Sequence, residues 1–95
     1  MKTASRMLLG ASDDWTPPAP CEALVARTKQ ALPQADIALR VYADSYHGFD
    51  SGQAVRLRTD VPNGAGGAGV HQGGNPQARA AALLEVDQFL ARFTQ

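Results

Sequence analysis

The stretch "DIALRVY", Asp36–Tyr42, decides the fold class of this chain. Its apolar residues Ile37, Leu39 and Val41 occupy every second position. Alternation with a period of two over this length predicts a β-strand with two different faces. The segments on either side of it then indicate what kind of sheet this strand joins.

A second strand and a helix are predicted upstream. The run "RMLLG", Arg6–Gly10, is short, apolar and closed by glycine, which is typical of a buried parallel strand. A helix is expected to begin around Pro18–Pro20, because proline is tolerated in a first helical turn, and to stop at Pro33. Its apolar stripe follows helical spacing. The residues of that stripe are Cys21, Leu24, Val25, Thr28, Ala31 and Leu32.

A long loop and a second helix are predicted downstream. Residues from Ser45 to Gly74 have no lasting periodicity and are interpreted as a loop. The segment "GNPQARAAALLEVDQFLARFTQ" predicts a helix with Asn75 as its N-cap and Pro76 at its first position. The face expected to be buried consists of Leu83, Val86, Leu90 and Phe93, supported by Ala82 and Phe89.

The order strand, helix, strand, long loop, helix predicts an α/β fold. Two strands joined by a helix of this length are expected to lie parallel, linked by a right-handed crossover. Two parallel strands leave two open edges, and parallel sheets are normally covered on both faces. We therefore expect residues 1–95 to be a piece of a larger parallel sheet, completed by dimerisation or by a partner chain.

The composition excludes several classes of function. The 95 residues are one domain at most, and nine basic residues balance nine acidic ones, so no field attracts nucleic acid or an anionic membrane. The single cysteine excludes an internal disulfide and fits a reducing compartment. No leader peptide or membrane span is predicted, so a cytoplasmic location is expected, and no cofactor motif is found.

Acidic residues follow the first predicted strand, and a histidine follows the second. Since the carboxyl ends of neighbouring parallel strands meet at one edge, Asp13 or Asp14 can approach His47 and form a carboxylate–imidazole pair. Such a pair orients a general base and stabilises its cationic form. Trp15 and Phe49 lie beside these residues in sequence, where they can line an apolar pocket or cover the edge of the sheet.

Three segments resemble the C-terminal third of the dienelactone hydrolase family, which has the α/β-hydrolase fold. They are "GASDDWTPPAPCEAL", "VYADSYHGFD" and "VPN…GNPQARAAALLEVDQFL", and together they extend from about Met7 to Phe93. The resemblance implies that Asp13 is the acid of a catalytic triad and that His47 is its base. Asp14 remains the alternative acid.

The family's nucleophile is a cysteine or serine on a G-x-[CS]-x-G turn that precedes the acid, and residues 1–95 contain no such motif. Ser12 follows a strand and a glycine, but Asp14 stands in place of the second glycine. Cys21 is interpreted as a buried packing thiol. We therefore expect no nucleophile and no ester or lactone hydrolysis from these residues alone. The alternatives are a non-catalytic homodimeric module, or one half of a split hydrolase completed by an N-terminal hydrolase chain.

Two further patterns resemble ligand sites, but neither is interpreted as one. The glycines of Gly64–Gly69 match G-x-G-x-x-G formally, but no strand precedes them and no helix follows directly, so a flexible connection is predicted. His71, together with His47, Asp50 and Asp60, lacks the short spacing that prepares a metal site. His71 is therefore expected to be a solvated loop residue.

Overall fold

The computed structural model describes residues 4–64 and 67–93. They form a small mixed α/β arrangement with a parallel pair of strands and a separate antiparallel pair. The elements in chain order are β1 (Ala4–Gly10), α1 (Ala19–Ala31), β2 (Asp36–Tyr42), β3 (Arg56–Pro62), β4 (Ala68–Gln72) and α2 (Pro76–Ala91).

The β1–β2 pair confirms the strand–helix–strand prediction. β1 runs parallel to β2 in a continuous register from Ala4 opposite Asp36 to Gly10 opposite Tyr42. β2 has the predicted bounds, and β1 begins at Ala4 rather than at Arg6. Both strands therefore end at the same edge, and the loops that follow them, residues 11–17 (the β1 loop) and 43–50 (the β2 loop), lie side by side.

The prediction of one long loop between Ser45 and Gly74 is wrong. β3 and β4 form an antiparallel hairpin in this region, with an irregularity in the register between Arg58 and Pro62. A period-two signal was present, since Leu57, Thr59 and Val61 alternate with charged residues. The signal is weak because the polar Thr59 interrupts the two apolar residues of this face. In the structure the face is poorly covered, with Leu57 58% exposed. Ala65 and Gly66 of the glycine-rich connection lie outside the described residues.

The helix boundaries follow the predicted signals. α1 begins at Ala19, within the predicted Pro18–Pro20 window, and ends at Ala31, before Pro33. α2 begins at Pro76, and the side chain of Asn75 accepts hydrogen bonds from the backbone N–H groups of Gln77 and Ala78 at 3.1 Å each. These bonds satisfy two of the amides that a helix start leaves unpaired.

The predicted buried face of α2 is wrong except at Ala82. In α2 the buried residues are Ala78 and Ala82, which form a small cluster with Phe49. The large side chains of the predicted face are exposed: Leu83 by 54%, Val86 by 38%, Leu90 by 51% and Phe93 by 56%. The small alanines allow the helix backbone to approach Phe49 closely, and Leu83 and Val86 face an open cleft beside Leu8 and Leu9 instead of a packed core.

No residue of α1 is buried, and Leu24 and Leu32 are 43% and 62% exposed. Cys21 is partly exposed, so its interpretation as a buried packing thiol is also wrong. Two apolar helix faces are thus left open to solvent by the described part of the chain.

The two edges of the parallel pair differ in their protection. β2 carries Asp36, which binds Arg6 and Arg92, and Arg40, which approaches Glu85. β1 carries the uncharged run 7–10 and pairs within the described residues only with β2. An apolar unpaired edge is one to which a further strand can add. None of the helices in the described ranges is long and apolar enough to cross a bilayer.

Candidate active site

The β1 and β2 loops meet where β1 ends. The backbone N–H of Ser12 donates to the carbonyl of Ser45 at 3.0 Å, and that of Ala11 donates to the carbonyl of Tyr42 at 2.9 Å. A Cβ atom at Gly10 would collide with the Ser45 carbonyl group, so only glycine allows this approach. The loops are therefore fixed against each other at backbone level, and their polar side chains converge.

Asp13 lies beside His47. His47 Nδ1 is 3.2 Å from Asp13 Oδ2, the contact expected for the carboxylate–imidazole pair. The other carboxylate oxygen accepts from the backbone N–H groups of Trp15 at 2.9 Å and Thr16 at 2.7 Å. The Asp13 side chain is only 9% exposed. The carboxylate is thus held by its own loop and presents its second oxygen to the imidazole.

Thr16 is a third member of this group, and the sequence analysis did not identify it. Its hydroxyl donates to Asp13 Oδ2 at 3.0 Å and lies 3.1 Å from His47 Nδ1. The nitrogen proton on Nδ1 can therefore be shared between the carboxylate and the hydroxyl oxygen. The spacing Asp-x-x-Thr, typical of a local side-chain-to-backbone turn, was the available signal.

The other ring nitrogen of His47 is uncommitted. Within the described residues, His47 Nε2 has no hydrogen-bond partner, and the ring packs against Trp15 with centroids 4.5 Å apart. The His47 side chain is 35% exposed. A neutral imidazole whose Nδ1–H is bound to a carboxylate carries its free lone pair on Nε2, the arrangement required of a general base.

His47 lines an open cleft of about 280 Å³. The walls come from the end of β1, the β2 loop and the exposed side of α2, and they are mainly apolar. The lining residues outside the Asp13–Thr16–His47 group include Leu8, Leu9, Phe49, Asp50, Arg79 and Leu83. Phe49 thus contributes to the wall of this cleft, whereas Trp15 packs against the imidazole with the ring planes tilted by 38°.

Neither nucleophile considered from the sequence lies in the cleft. Ser12 and Cys21 are absent from its lining, and no serine or cysteine from the described residues is among the groups that form it. The hydroxyl of Thr16 contacts Nδ1, the nitrogen bound to the acid, and its proton goes to Asp13. Thr16 is therefore arranged to hold the pair rather than to attack a substrate.

Asp14 binds a different histidine, His71 on β4. Its Oδ1 accepts from the backbone N–H of His71 at 2.8 Å, and its Oδ2 lies 2.6 Å from His71 Nδ1. The His71 ring stacks on Tyr46, with centroids 4.9 Å apart and planes 24° apart. The interpretation of His71 as a loop residue is wrong, because it belongs to β4, but its side chain is solvated as expected, being 43% exposed while bonded to Asp14. In this geometry Asp14 is paired away from His47.

The pKa of Asp14 is the net result of opposing effects. Partial desolvation raises the pKa of this carboxyl, but the hydrogen bonds from the His71 side chain and backbone outweigh it, so the pKa lies below 3.8. Asp14 is therefore an anion at neutral pH and accepts both bonds from His71.

The remaining acidic candidates are dispersed. Asp50 lines the cleft, while Asp60 binds Arg58 at 2.7 Å on the hairpin, and this bond lowers the pKa of Asp60. Across residues 4–64 and 67–93, no three His, Cys, Asp or Glu side chains are grouped as a metal site would require.

Backbone bonds join the glycine-rich connection to its surroundings at both described ends. The N–H of Gly64 donates to the Asp14 carbonyl at 2.7 Å, and Asn63 N–H donates to the Gly67 carbonyl at 2.7 Å. β4 begins at Ala68, directly after the described part of this connection, so the strand–turn–helix order of a dinucleotide-binding site is not met.

Comparison of the chain with protein-family models, with curated proteins and with solved structures finds no match.

Proposed function

We propose that residues 1–95 carry the acid and base of an ester or lactone hydrolase site of the dienelactone hydrolase type, without its nucleophile. The observation that carries this proposal is the Asp13–His47 contact beside a cleft whose described lining contains no serine or cysteine. The uncharged run 7–10 of β1, which pairs within the described residues only with β2, borders the same cleft through Leu8 and Leu9. A segment added along that run would reach the imidazole.

The proposed chemistry is acyl transfer. The hydroxyl or thiol of the added segment attacks the carbonyl carbon of the ester while His47 Nε2 takes its proton, and His47 then returns that proton to the leaving alkoxide. Asp13 stabilises the imidazolium formed in between. Water releases the acyl group by the same route. An oxyanion hole would also have to come from the added segment. Residues 1–95 alone are therefore proposed to be inactive.

A fusion tests this proposal. The N-terminal two-thirds of a dienelactone hydrolase, which carries the nucleophile turn, is joined ahead of Met1, and hydrolysis of a p-nitrophenyl ester is measured. We expect turnover by the fusion and none by residues 1–95. His47→Ala in the fusion should lower turnover by roughly a thousandfold or more.

Ser12→Ala is the matched control, because Ser12 lies in the β1 loop but not in the cleft. It should leave turnover unchanged. A folded fusion that does not hydrolyse the ester contradicts the proposal. Turnover by residues 1–95 alone that disappears in His47→Ala also contradicts it.

A non-catalytic homodimeric module is the second candidate. It is favoured by the exposed apolar residues of α2, since Leu83, Leu84, Leu90 and Phe93 are each more than half exposed. A second copy pairing along β1 would also cover the open edge. Light scattering should then give a dimer that Leu90→Glu dissociates. Leu57→Glu, at an equally exposed leucine of the hairpin, should not change the mass. A monomeric wild type eliminates this candidate.

A further inference from the structure

The β3–β4 hairpin contacts both loops of the candidate site through one side chain. His71 binds Asp14 with its backbone N–H and with Nδ1, and it stacks on Tyr46 with its ring face. Asp14 directly follows Asp13, and Tyr46 directly precedes His47. His71 therefore joins the neighbours of the two residues that form the acid–base pair.

Backbone contacts align the same hairpin with the pair. The N–H of Gly73 donates to the His47 carbonyl at 3.0 Å, and Gln72 forms an isolated parallel bridge with His47. At the other end of the hairpin, Gly64 N–H binds the Asp14 carbonyl. These bonds hold the main chains of the loops next to β4, but they leave the direction of the Asp13 carboxylate to the conformation of the β1 loop.

Consecutive side chains on an extended or turning backbone point in different directions. When Asp14 is fixed on His71, rotation of the β1 loop is restricted, and Asp13 is directed toward His47. The Tyr46–His71 stack restricts the β2 loop in the same way. The 3.2 Å contact joins side chains of two separate loops, so it is sensitive to the position of each loop.

We propose that His71 is a positioning residue, which sets the Asp13–His47 geometry by clamping Asp14 of the β1 loop to Tyr46 of the β2 loop. Its catalytic meaning rests on the function proposed above, but the geometric effect does not require any activity. The measurement is the tautomer of His47. A neutral imidazole alone in water prefers its proton on Nε2, whereas a carboxylate at Nδ1 holds the proton there.

The experiment is ¹⁵N NMR of residues 1–95 at a pH well above the ordinary histidine pKa of about 6.5. The ratio of Nδ1–H to Nε2–H tautomers of His47 is measured in wild type and variants. We expect the Nδ1–H form to predominate in wild type. In His71→Ala the ratio should fall about fivefold, the effect expected when the hydrogen bond between Asp13 and His47 Nδ1 is lost.

Conservative variants separate the two contacts of the clamp. His71→Asn keeps a donor in the position of Nδ1 and should retain most of the wild-type ratio. Tyr46→Phe keeps the ring stack and should behave as wild type, whereas Tyr46→Leu should lower the ratio. The Tyr46 pair provides the test even where His71→Ala does not fold.

Leu57→Ala controls for general weakening of the hairpin, because Leu57 is paired with His71 in the β3–β4 register and is largely exposed. It should leave the tautomer ratio unchanged. An unchanged ratio in both His71→Ala and Tyr46→Leu, or an equal fall in His71→Ala and Leu57→Ala, overturns the proposal. A fall restricted to the clamp variants supports it, and it does so regardless of whether the fusion hydrolyses an ester.

Discussion

Two consecutive aspartates each bind a histidine through Nδ1, and the two pairs differ in whether the histidine lines the cleft and in which backbone groups the aspartate binds. In both pairs the imidazole packs on an aromatic ring, and Nε2 has no hydrogen-bond partner among the described residues. The Asp13–His47 pair, at 3.2 Å, borders the apolar cleft and leaves Nε2 without a bond among the described residues. The Asp14–His71 pair, at 2.6 Å, also binds the His71 backbone and lies against Tyr46. The comparison shows that the same two side-chain types form a candidate base in one place and a structural clamp in the other.

The difference has a simple physical origin. His71 belongs to β4, whose backbone is committed to the hairpin, so its side chain joins two pieces of structure. His47 belongs to a loop at the end of a parallel strand, where side chains face a cleft. Carboxyl ends of parallel strands are the usual place for ligand sites in α/β folds. Three predictions, from the largest expected effect to the smallest, test how independent the two pairs are.

Gly10→Ala should have the largest effect because Gly10 packs against the β2 loop and directly precedes the β1 loop, which carries both aspartates. The new Cβ would collide with the backbone carbonyl of Ser45, which cannot move without displacing the β2 loop. We expect a loss of about 2–3 kcal/mol in the free energy of unfolding, measured by urea denaturation.

Gly52→Ala is the matched control, since nothing lies within 4 Å of a Cβ built at that glycine. It should change the free energy of unfolding by less than about 0.5 kcal/mol. Equal effects of the two substitutions would show that the loop contact at Gly10 is not a constraint shared by the two pairs.

Asn75→Ala should have an intermediate effect and should affect only the His47 side. Asn75 caps α2, and its side chain also donates to the Asp44 carbonyl at 3.1 Å, which ties the helix start to the β2 loop. Loss of the cap should lower the free energy of unfolding by about 1 kcal/mol. Gln77→Ala serves as the control because its side chain is exposed in the first turn. The measurement is hydrogen exchange of the backbone amides. If the His71 amide accelerates as much as the α2 amides do, the effect of Asn75→Ala is not restricted to the His47 side.

The smallest effect is expected for Asp14→Asn, and it should depend on pH. Because the folded-state pKa of Asp14 lies below 3.8, its ionised form stabilises the fold above the unfolded pKa of about 3.9, and this contribution is lost as pH falls through the folded pKa. The variant should therefore have a free energy of unfolding lower than that of wild type by less than about 1 kcal/mol near neutral pH. The difference should shrink toward zero in acid.

Asp36 and Asp60 also titrate in this acid range, because hydrogen bonds from Arg6 and Arg92, and from Arg58, lower the pKa of each carboxyl. The informative quantity is therefore the difference in the free energy of unfolding between wild type and Asp14→Asn at each pH. A difference that stays constant from neutral pH to pH values well below 3.8 would mean that the Asp14 charge does not stabilise the hairpin contact.

Much of the framework could be predicted from local sequence signals. The alternation in Asp36–Tyr42, the apolar run before Gly10 and the Asn75-Pro76 start of α2 act within a few residues, so they specify elements independently of distant contacts. The approach of one of the two aspartates, Asp13 or Asp14, to His47 followed from the parallel pairing, which places the two strand ends at one edge.

The remaining features depend on contacts between residues far apart in the chain. The role of His71 could be recognised only once the hairpin lay beside both loops, because a single polar residue carries no periodic signal. The Asp-x-x-Thr spacing indicates a local turn at Thr16, but its contact with His47 depends on the second loop. The buried face of α2 was also decided in this way. Its apolar residues surround much of the helix, and only packing against Phe49 selects Ala78 and Ala82 over Leu83 and Leu90.

The sequence by itself determined the strand–helix–strand order, the helix starts and the edge at which Asp13 and His47 meet, because these follow from short-range periodicity and from the geometry of parallel strands. Only the tertiary structure decided which aspartate binds which histidine. Asp13 and Asp14 are adjacent and chemically identical, and the position of β4 beside the β1 loop directs one of them to His71 and leaves the other for His47.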